Sequence, residues 1–430
     1  MVTLYAKWGA GRGSMLRLLV AVALLVGWGS SASAQTVKAD TASSDLPAGY
    51  IVLPKIVVHT TGSPTQPIMA GGVATDTLIQ LTNTSQTSSI NVHCFYVNAN
   101  SHCGGTGNIC TTNSDCPLGQ TCVQGWVPNN FSLVLTPAQP VGFTAAGGLA
   151  PVPCDPKFSG VGCKSDAAGK VPPVNEDPFI GELKCVETDA NDHPVPANDL
   201  KAEATVITTL VPPVTAGTGI TTAASYNGIG FQADETFTPP LGTNSTDPLC
   251  LGALPPGSGS SLVCRQDYVP CPGVLILNHF FDGATTELGG VVDTELTLVP
   301  CSEDLSNPPR QSAFQVTAQM LIYNEFEQRF SSGAKINCYR ATRLSDIDTG
   351  LGPSGDSFSI FSVGVQGTEV GQTRIRGVQG APTGLGFGLL GVACENYHAT
   401  SLSDPVLSRT AFNLHEDGFR AEGDAVFVNP

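Results

Sequence analysis

The sequence contains few charged residues and very little positive charge. Only 13% of the 430 residues are Asp, Glu, Lys or Arg, which is about half of the usual fraction in soluble proteins. Lys and Arg number 20 against 36 Asp and Glu, so the formal net charge is −16 at pH 7. Because a chain this acidic is repelled by a phosphate backbone, we predict no nucleic acid partner.

Long apolar segments and the common catalytic spacings are also missing. Beyond residue 34, no stretch reaches the roughly 18 uninterrupted apolar residues of a membrane-spanning helix, so we predict no transmembrane segment. There is no C-x-x-C or H-x-x-x-H spacing for zinc and no G-x-S-x-G nucleophile elbow. We therefore expect a protein that is not an enzyme.

The N-terminal segment has the features of a secretory signal peptide. Positive residues precede an apolar run at 18–26, and small residues then lead to Ala34. This order predicts that residues 1–34 are removed by cleavage near Ala34. Residues 35–49 are polar and are predicted to form a flexible leader. The mature protein is expected in the extracellular space, at the cell surface or in the periplasm.

Glycine, proline and cysteine are abundant instead. The 48 Gly and 32 Pro disfavour long helices, and short runs of β-type residues lie between turn residues, which predicts an all-β fold. All 14 cysteines lie beyond the signal peptide. An even number in an exported chain predicts disulfides rather than free thiols.

The order of the predicted strands repeats along the chain. For example, residues 293–298 are similar in pattern to residues 76–81. We predict tandem β-sandwiches at 50–208 and 271–430, with immunoglobulin-like topology as the first hypothesis. Residues 209–270 are rich in Pro and Gly and carry two cysteines, with a third directly after them at residue 271, so they are predicted to form a disulfide-stapled connector with long loops.

Neighbouring strands are predicted to form hairpins wherever a turn-rich segment separates them. This interpretation follows from local composition and from the alternation of apolar and polar residues. The predicted hairpins pair 77–82 with 90–97, 181–187 with 200–207, and 361–367 with 372–378.

The densest group of cysteines lies at residues 103–122. Short, turn-rich segments separate its four members, so we predict that they pair among themselves and hold a small insertion without a hydrophobic core. They are Cys103, Cys110, Cys116 and Cys122. The segment resembles the small EGF-like or Dickkopf-like Cys-rich modules of secreted proteins, and this resemblance implies a module that stabilises a loop or contacts a partner.

The other cysteines lie in or beside predicted strands and loops. Three further pairs are predicted: Cys154 with Cys163, Cys301 with Cys338, and Cys94 with Cys185. The remaining cysteines are expected to be oxidised, with no partner assigned: Cys250, Cys264, Cys271 and Cys394.

Most of the chain outside the insertion shows a second resemblance. It is clearest in two segments of the second half, Asn278–Gly283 and Tyr323–Phe330. They resemble uncharacterised exported β-rich proteins of Gram-negative bacteria. The resemblance implies export and a β-rich fold. It brings no activity and no site residues.

Few residues are candidates for catalysis. Glu325 and Glu327 would share one face of a strand, and a glycosidase needs two carboxylates close together in a cleft. A solvated charged strip with Arg329 is the simpler interpretation. His279 lies near Asp282 but is interpreted as a residue at the end of a strand. We therefore assign no catalytic residue.

Acidic loops are the better candidates for binding. Carboxylate and amide oxygens in flexible turns are the ligands that Ca²⁺ prefers, although turn chemistry alone also explains Asp and Asn there. A weak calcium site is one hypothesis, and no other cofactor is expected. The candidate ligands are Asp189, Asn191, Asp192, Asp346, Asp348 and Asp356.

The leading functional hypothesis is an exported, non-enzymatic structural, adhesive or interaction protein at the cell surface or in the extracellular space. Its partner would be a protein or a surface glycan, and the oligomeric state is left open. The alternatives are a secreted hydrolase or carbohydrate-active enzyme, and a periplasmic ligand binder. A deep pocket with converging polar groups would favour the alternatives, whereas exposed loops and edge strands would favour an interaction module.

Overall fold

A computed structural model describes the chain between residues 40 and 428, with gaps. The described residues are 40–60, 62–63, 66–67, 72–123, 125, 127–149, 171–210, 220–234, 248–253, 266–287, 289–306, 314–347, 349–351, 357–363, 367–381, 386–420 and 423–428. The predicted signal peptide at 1–34 therefore lies outside the described residues, as does the predicted pair of Cys154 and Cys163.

The described residues form sheets that are antiparallel except for the pair β19 and β29, with almost no helix, which confirms the predicted all-β fold. The only regular helix described consists of two 3₁₀ turns, Asn113–Asp115 and Leu344–Asp346. Among the described residues there is no helix long and apolar enough to cross a membrane.

The strands are numbered in chain order. Those of the N-terminal half are β1 (Tyr50–Val58), β2 (Gly62–Ser63), β3 (Gln66–Pro67), β4 (Val73–Asn83), β5 (Ile90–Asn98), β6 (Ser101–Cys103), β7 (Ile109–Cys110), β8 (Cys122–Val123), β9 (Val127–Leu135), β10 (Pro140–Thr144), β11 (Phe179–Thr188), β12 (Leu200–Leu210), β13 (Thr221–Asn227), β14 (Ile229–Phe231) and β15 (Leu249–Leu251). Those of the C-terminal half are β16 (Pro272–Phe280), β17 (Ala284–Thr285), β18 (Val291–Pro300), β19 (Glu303–Asp304), β20 (Gln315–Asn324), β21 (Arg329–Asn337), β22 (Arg340–Arg343), β23 (Thr349–Leu351), β24 (Ser357–Ser359), β25 (Val370–Ala381), β26 (Leu389–His398), β27 (Val406–Asn413), β28 (His415–Phe419) and β29 (Asp424–Phe427).

Two sheets build the first sandwich. One has the strand order β14-β1-β11-β5-β9 and the other has the order β10-β4-β12-β13. Apolar side chains that alternate along the strands point into the space between them and form one core. Representative members are Ile51, Ile79, Tyr96, Leu133, Phe143, Phe179, Leu183 and Val206.

The second sandwich repeats this arrangement. Its sheets have the orders β28-β16-β25-β20-β21 and β17-β18-β26-β27, with β22 also paired to β18. Its core includes Leu277, Phe281, Leu296, Met320, Ile336, Phe361 and Ile375.

The two sandwiches share one strand order, as the sequence repeat predicts. Strands β1, β4, β5 and β9–β14 occupy the same places as β16, β18, β20–β22 and β25–β28. The immunoglobulin-like topology is not confirmed. In each half the first of these nine strands pairs with the sixth, whereas an immunoglobulin sheet places the first strand beside the second.

The predicted hairpins are wrong, although five of their six predicted strands exist. β4 and β5 lie in different sheets, and so do β11 and β12. In the third case β25 pairs with β16 and β20, while Phe361 lies in a turn and is buried in the core. At β4 and β5, and again at β11 and β12, the chain crosses from one sheet to the other, and local composition does not distinguish such a crossing from a hairpin.

A third core joins the two sandwiches. The outer face of the sheet β14-β1-β11-β5-β9 packs against the sheet β15-β29-β19 and the adjoining end of the second sandwich. We call this region the junction. Its apolar members include Tyr50, Val52, Phe95, Phe231, Leu249, Tyr268, Val299, Leu390 and Val426. Because β1 is buried on both faces, its sequence is an apolar run interrupted only by Lys55, rather than an alternating one.

Residues 40–49, which were predicted to belong to a flexible leader, pack against the body of the molecule. The backbone N–H of Ala42 donates to the carbonyl of Pro270 at 3.1 Å, and that of Ala48 donates to Leu200 at 2.9 Å. Both alanines are buried. Similarly, β13 and β14 lie within the predicted connector but complete the edges of the first sandwich.

Candidate functional site

His279 is buried and fully engaged in hydrogen bonds. Its Nε2 lies 2.8 Å from the hydroxyl of Thr373, and its Nδ1 lies 3.0 Å from the carbonyl of Phe280. Burial lowers the pKa of His279 to about 4. A neutral, enclosed imidazole of this kind orders the end of β16 and does not face a substrate.

Asp282 does not form a pair with His279. Its carboxylate accepts hydrogen bonds from the backbone N–H groups of Thr294 at 3.0 Å and Ser345 at 2.9 Å. Burial raises the pKa of Asp282 to about 6. The residue therefore fixes the loop between β16 and β18.

Glu325 and Glu327 lie in the turn between β20 and β21 and not on a strand, so the expected shared face is wrong. Asn324 caps this turn by accepting hydrogen bonds from the N–H groups of Phe326 and Gln328, each at 3.0 Å. Glu327 has a φ of 59°. Glu325 accepts a hydrogen bond from the N–H of the exposed residue Glu369 at 2.8 Å, and both carboxylates are exposed.

The first predicted calcium loop uses its oxygens within the turn. Asp189 accepts hydrogen bonds from the N–H groups of Asn191 at 2.8 Å and His193 at 3.0 Å. These bonds, that from His193 above all, lower the pKa of Asp189. Asp192 accepts a hydrogen bond from Ser132 at 2.9 Å. Calcium binding at this loop stays a prediction.

The second predicted calcium loop is described only in part. Asp346 is exposed and ends a 3₁₀ turn. Asp348 and Asp356 lie outside the described residues. Its calcium binding likewise stays a prediction.

The disulfides agree with several predicted pairs. Cys94 on β5 is bonded to Cys185, which lies directly opposite on β11. Within the insertion, the bonds join Cys103 to Cys116 and Cys110 to Cys122. Cys250 is also disulfide-bonded.

The predicted pair of Cys301 and Cys338 is wrong. Cys301 is bonded to Cys271 at the junction. Cys338 and Cys394 are free and buried, although Cys394 was expected to be oxidised. The pairing was inferred from strands of one sandwich, whereas Cys301 lies beyond the end of β18, where the chain enters the junction core.

A buried histidine–aspartate contact, which the sequence did not indicate, lies between β18 and β26. Asp293 accepts hydrogen bonds from His398 at 3.0 Å and from Asn396 at 2.7 Å, and Arg343 lies 3.0 Å from the same carboxylate. The His398 side chain is 1% exposed. The contact therefore stabilises the sheet and is closed to a substrate.

A cleft of about 530 Å³ lies between the two sandwiches. Asp45, Glu203 and Glu416 line it together with His415 and several hydroxyl groups, and none of its described lining residues is a Lys or Arg. Burial, with a smaller contribution from Asp45, raises the pKa of Glu416 to about 8. Such a cleft favours a cationic or neutral ligand over an anion.

The Cys-rich insertion, residues 101–123, is a small sheet of order β7-β6-β8, which we call the knob. Its only ionisable side chains, cysteines apart, are His102 and Asp115. Most of its residues are exposed, including the apolar side chains of Ile109 (39% exposed), Val123 (54%) and Leu118, which is fully exposed. The sequence shows these isolated apolar residues, but only the structure shows that no core covers them.

A carboxylate anchors the base of the knob. Glu176 accepts hydrogen bonds from Asn98 at 2.6 Å and from Asn100, and its other oxygen lies 2.9 Å from His102. With two disulfides across the knob and this anchor below it, the apolar residues are held on a stiff support.

The junction also encloses charged side chains. Glu182 and Lys184 are two positions apart on β11, so they share the outer face of the sheet, and Glu303 approaches from β19. None of the three side chains is more than 1% exposed. Lys184 Nζ lies 3.1 Å from Glu182 Oε1 and is in direct contact with Glu303 Oε2. We call these residues the junction triad.

The triad is a costly arrangement of charges. Apart from Lys184, no described group donates a hydrogen bond to either carboxylate. Removing an ion from water to such a site costs several kcal/mol even after relaxation. Burial lowers the pKa of Lys184, which Glu182 opposes, and burial raises the pKa of Glu182 to about 6, which Lys184 opposes.

A second buried lysine forms an ion pair between the two sandwiches. Lys55, at a bulge in β1, contacts Glu295 on β18, and its Nζ lies 3.3 Å from Thr297 Oγ1. Burial alone would raise the pKa of Glu295, but the charge of Lys55 lowers it below its usual value. The Glu295 side chain is 24% exposed, so this ion pair keeps access to water.

No protein-family model matches the chain. The search of curated proteins likewise finds no match.

Proposed function

We propose that the chain is an exported, non-enzymatic interaction protein that acts at the cell surface or in the extracellular space, with the knob as its contact surface. One observation carries this proposal: the knob holds exposed apolar side chains on a support stapled by two disulfides. A stiff apolar surface loses little conformational entropy on binding, which favours recognition of a partner.

The charge distribution supports a protein partner. The whole chain is strongly acidic, yet the knob has a single carboxylate, Asp115. Interface centres are depleted of charge and enriched in apolar side chains. We therefore propose that the partner presents an apolar protein surface to Leu118 and its neighbours.

Export is supported by the disulfides, because structural disulfides persist in oxidising compartments. The described residues contain four fully described bonds. The signal peptide at 1–34 remains a prediction.

The test is photo-crosslinking at the knob. The photoreactive residue benzoylphenylalanine replaces Leu118 in one variant and Leu407, which is 46% exposed on β27, in a control variant. Each variant is expressed in the native host and irradiated on intact cells. We expect an adduct with one defined protein at position 118, absent at position 407 and competed by unlabelled wild type but not by Leu118→Asp. Equal labelling at both positions, or no adduct at 118, would contradict the proposal.

A periplasmic binder is the second candidate, because the cleft of about 530 Å³ gathers three carboxylates without a cationic side chain. Its ligand would be a small cation or polyol. Isothermal titration of the wild type and of Glu416→Gln with a polyamine tests it. Heat that depends on Glu416 would support this candidate, and no heat would remove it. The hydrolase alternative stays a prediction and has no supporting observation among the described residues.

A further inference from the structure

The junction triad places an amine and two carboxyl groups in contact inside a core from which water is excluded. Lys184 lies between Val52 on β1 and Phe95 on β5 in the sheet, and both neighbours belong to the junction core. Glu303 enters from the other side of that core. The side-chain ends of Lys184 and Glu303 are in contact, and both side chains are shielded from solvent.

The protonation states suit a condensation. An amine whose pKa is lowered by burial is neutral more often and is then nucleophilic. A carboxyl group whose pKa is raised by burial, as in Glu182, can both accept and return a proton near neutral pH. Glu182 lies 3.1 Å from the reacting nitrogen, which is within the range for direct proton transfer.

We propose that Lys184 and Glu303 are joined in the mature protein by an amide bond between Nζ and Cδ, and that Glu182 carries the proton during its formation. The neutral amine of Lys184 attacks the Cδ of the protonated Glu303 carboxyl, and a C–N bond forms. Glu182 accepts one amine proton and returns it to the departing hydroxyl. The C–O bond breaks and one water molecule leaves, so no oxidant and no cofactor is needed.

The product resolves the electrostatic problem of the triad. The amide removes the charges of Lys184 and Glu303 from the core. Its N–H remains close to Glu182 and donates a hydrogen bond to that carboxylate. The bond also links β11 of the first sandwich covalently to β19, the fourth strand of the C-terminal half.

The pair formed by Lys55 and Glu295 is the natural control. It also joins the two sandwiches. Burial alone would lower the pKa of Lys55, but the negative charge of Glu295, with smaller contributions from other neighbours, outweighs burial, so the pKa is raised and the amine stays protonated. Glu295 is partly exposed, and no second carboxylate of the described part of the chain forms an ion pair with Lys55. We expect this pair to remain ionic.

The experiment is mass spectrometry of the full chain, exported by a Gram-negative host, then reduced, alkylated and denatured. The wild type is expected to be lighter than the linear chain by one water molecule. Trypsin cleaves after Lys and Arg, so a modified Lys184 is not cleaved, and a branched peptide should join residues 171–201 to 266–310.

Four variants assign the roles. Lys184→Arg should have its full mass. Glu303→Gln should give the same branched peptide with loss of ammonia instead of water, and Glu182→Gln should lose most of the cross-link. Lys55→Arg should retain it in full.

Two results would overturn the proposal, and both come from the wild type, which folds. One is a full mass with normal cleavage after Lys184. The other is a missing water located in a linear peptide. A complete cross-link in Glu182→Gln would overturn the role of Glu182.

Discussion

Strands β11 and β25 occupy the same place in the two sandwiches, but their outward faces have different surroundings. On β11, Glu182 and Lys184 lie under the junction core and are at most 1% exposed. On β25, Arg374 is 45% exposed and lies 3.7 Å from Asp417. The same strand order thus carries one solvated face and one buried face. The layer packed against a strand, and not the strand itself, decides what its charged residues contribute.

The largest expected difference between the two faces is in stability. Lys184→Met removes the proposed amide and leaves two buried carboxylates without a counter-ion, so we expect the free energy of unfolding to fall by about 3–5 kcal/mol or more. Arg374→Met removes an exposed ion pair and should cost about 0.5 kcal/mol or less. Denaturation by guanidinium at pH 7 measures both. Equal losses would show that the two faces do not differ.

The second largest expected effect is on how stability depends on pH. Because burial raises the pKa of Glu182 to about 6 from a usual 4.5, the folded state favours its protonated form. Its stabilising contribution is complete below about pH 4.5 and is lost as the pH rises through 6. Glu295 has a lowered pKa, so its contribution is present above its usual pKa and is lost as the pH falls below it.

Stability curves between pH 3 and pH 8 check these signs, with the range set by those pKa values. Glu182→Gln should remove the loss between about pH 4.5 and 6, and Glu295→Gln should remove the loss at lower pH. Arg374→Gln, on the solvated face, should leave the shape of the curve unchanged. A curve for Glu182→Gln that matches the wild type would contradict the burial of this carboxylate.

The smallest expected signal concerns the cysteines. The first sandwich carries the bond between Cys94 and Cys185, whereas the second carries the free thiols of Cys338 and Cys394. Burial raises the pKa of both thiols, that of Cys338 to about 12, so neither should be reactive. Iodoacetamide without reductant should label neither thiol in the folded protein and both in guanidinium. Peptide mapping that finds native labelling would refute this.

The periodicity of the sequence predicted where strands lie better than it predicted which other elements pack against them. Residues 200–207 and 293–298 lie within β12 and β18, because a half-buried strand alternates in the sequence itself. The alternation at 181–187 also marked β11 as a half-buried strand, which would leave one of its two faces in solvent, whereas both faces are buried. Their burial depends on β15, β19 and β29, which lie far away in the sequence.

Turns and disulfides show the same limit at shorter range. Asn324 is a turn residue, and its side chain ends β20 just before Glu325, a signal that was available but was outweighed by the alternating pattern. The pairing within the knob was predictable because the cysteines are close in sequence. The bond between Cys271 and Cys301 was not, since it belongs to the junction rather than to one sandwich.

The sheet β15-β29-β19 has a consequence for the order of assembly. β29 pairs with both other strands, and the hydrogen bond from Ser302 to Asp424 joins residues that are 122 positions apart. A contact between residues so far apart in sequence forms only after a long loop has closed, which costs conformational entropy. Such contacts therefore form late in folding. Each sandwich can form from its own strands while the chain emerges in order. We therefore expect the junction core to stay incomplete, with the outer face of β11 only partly covered, until residues 424–427 pair with β15 and β19.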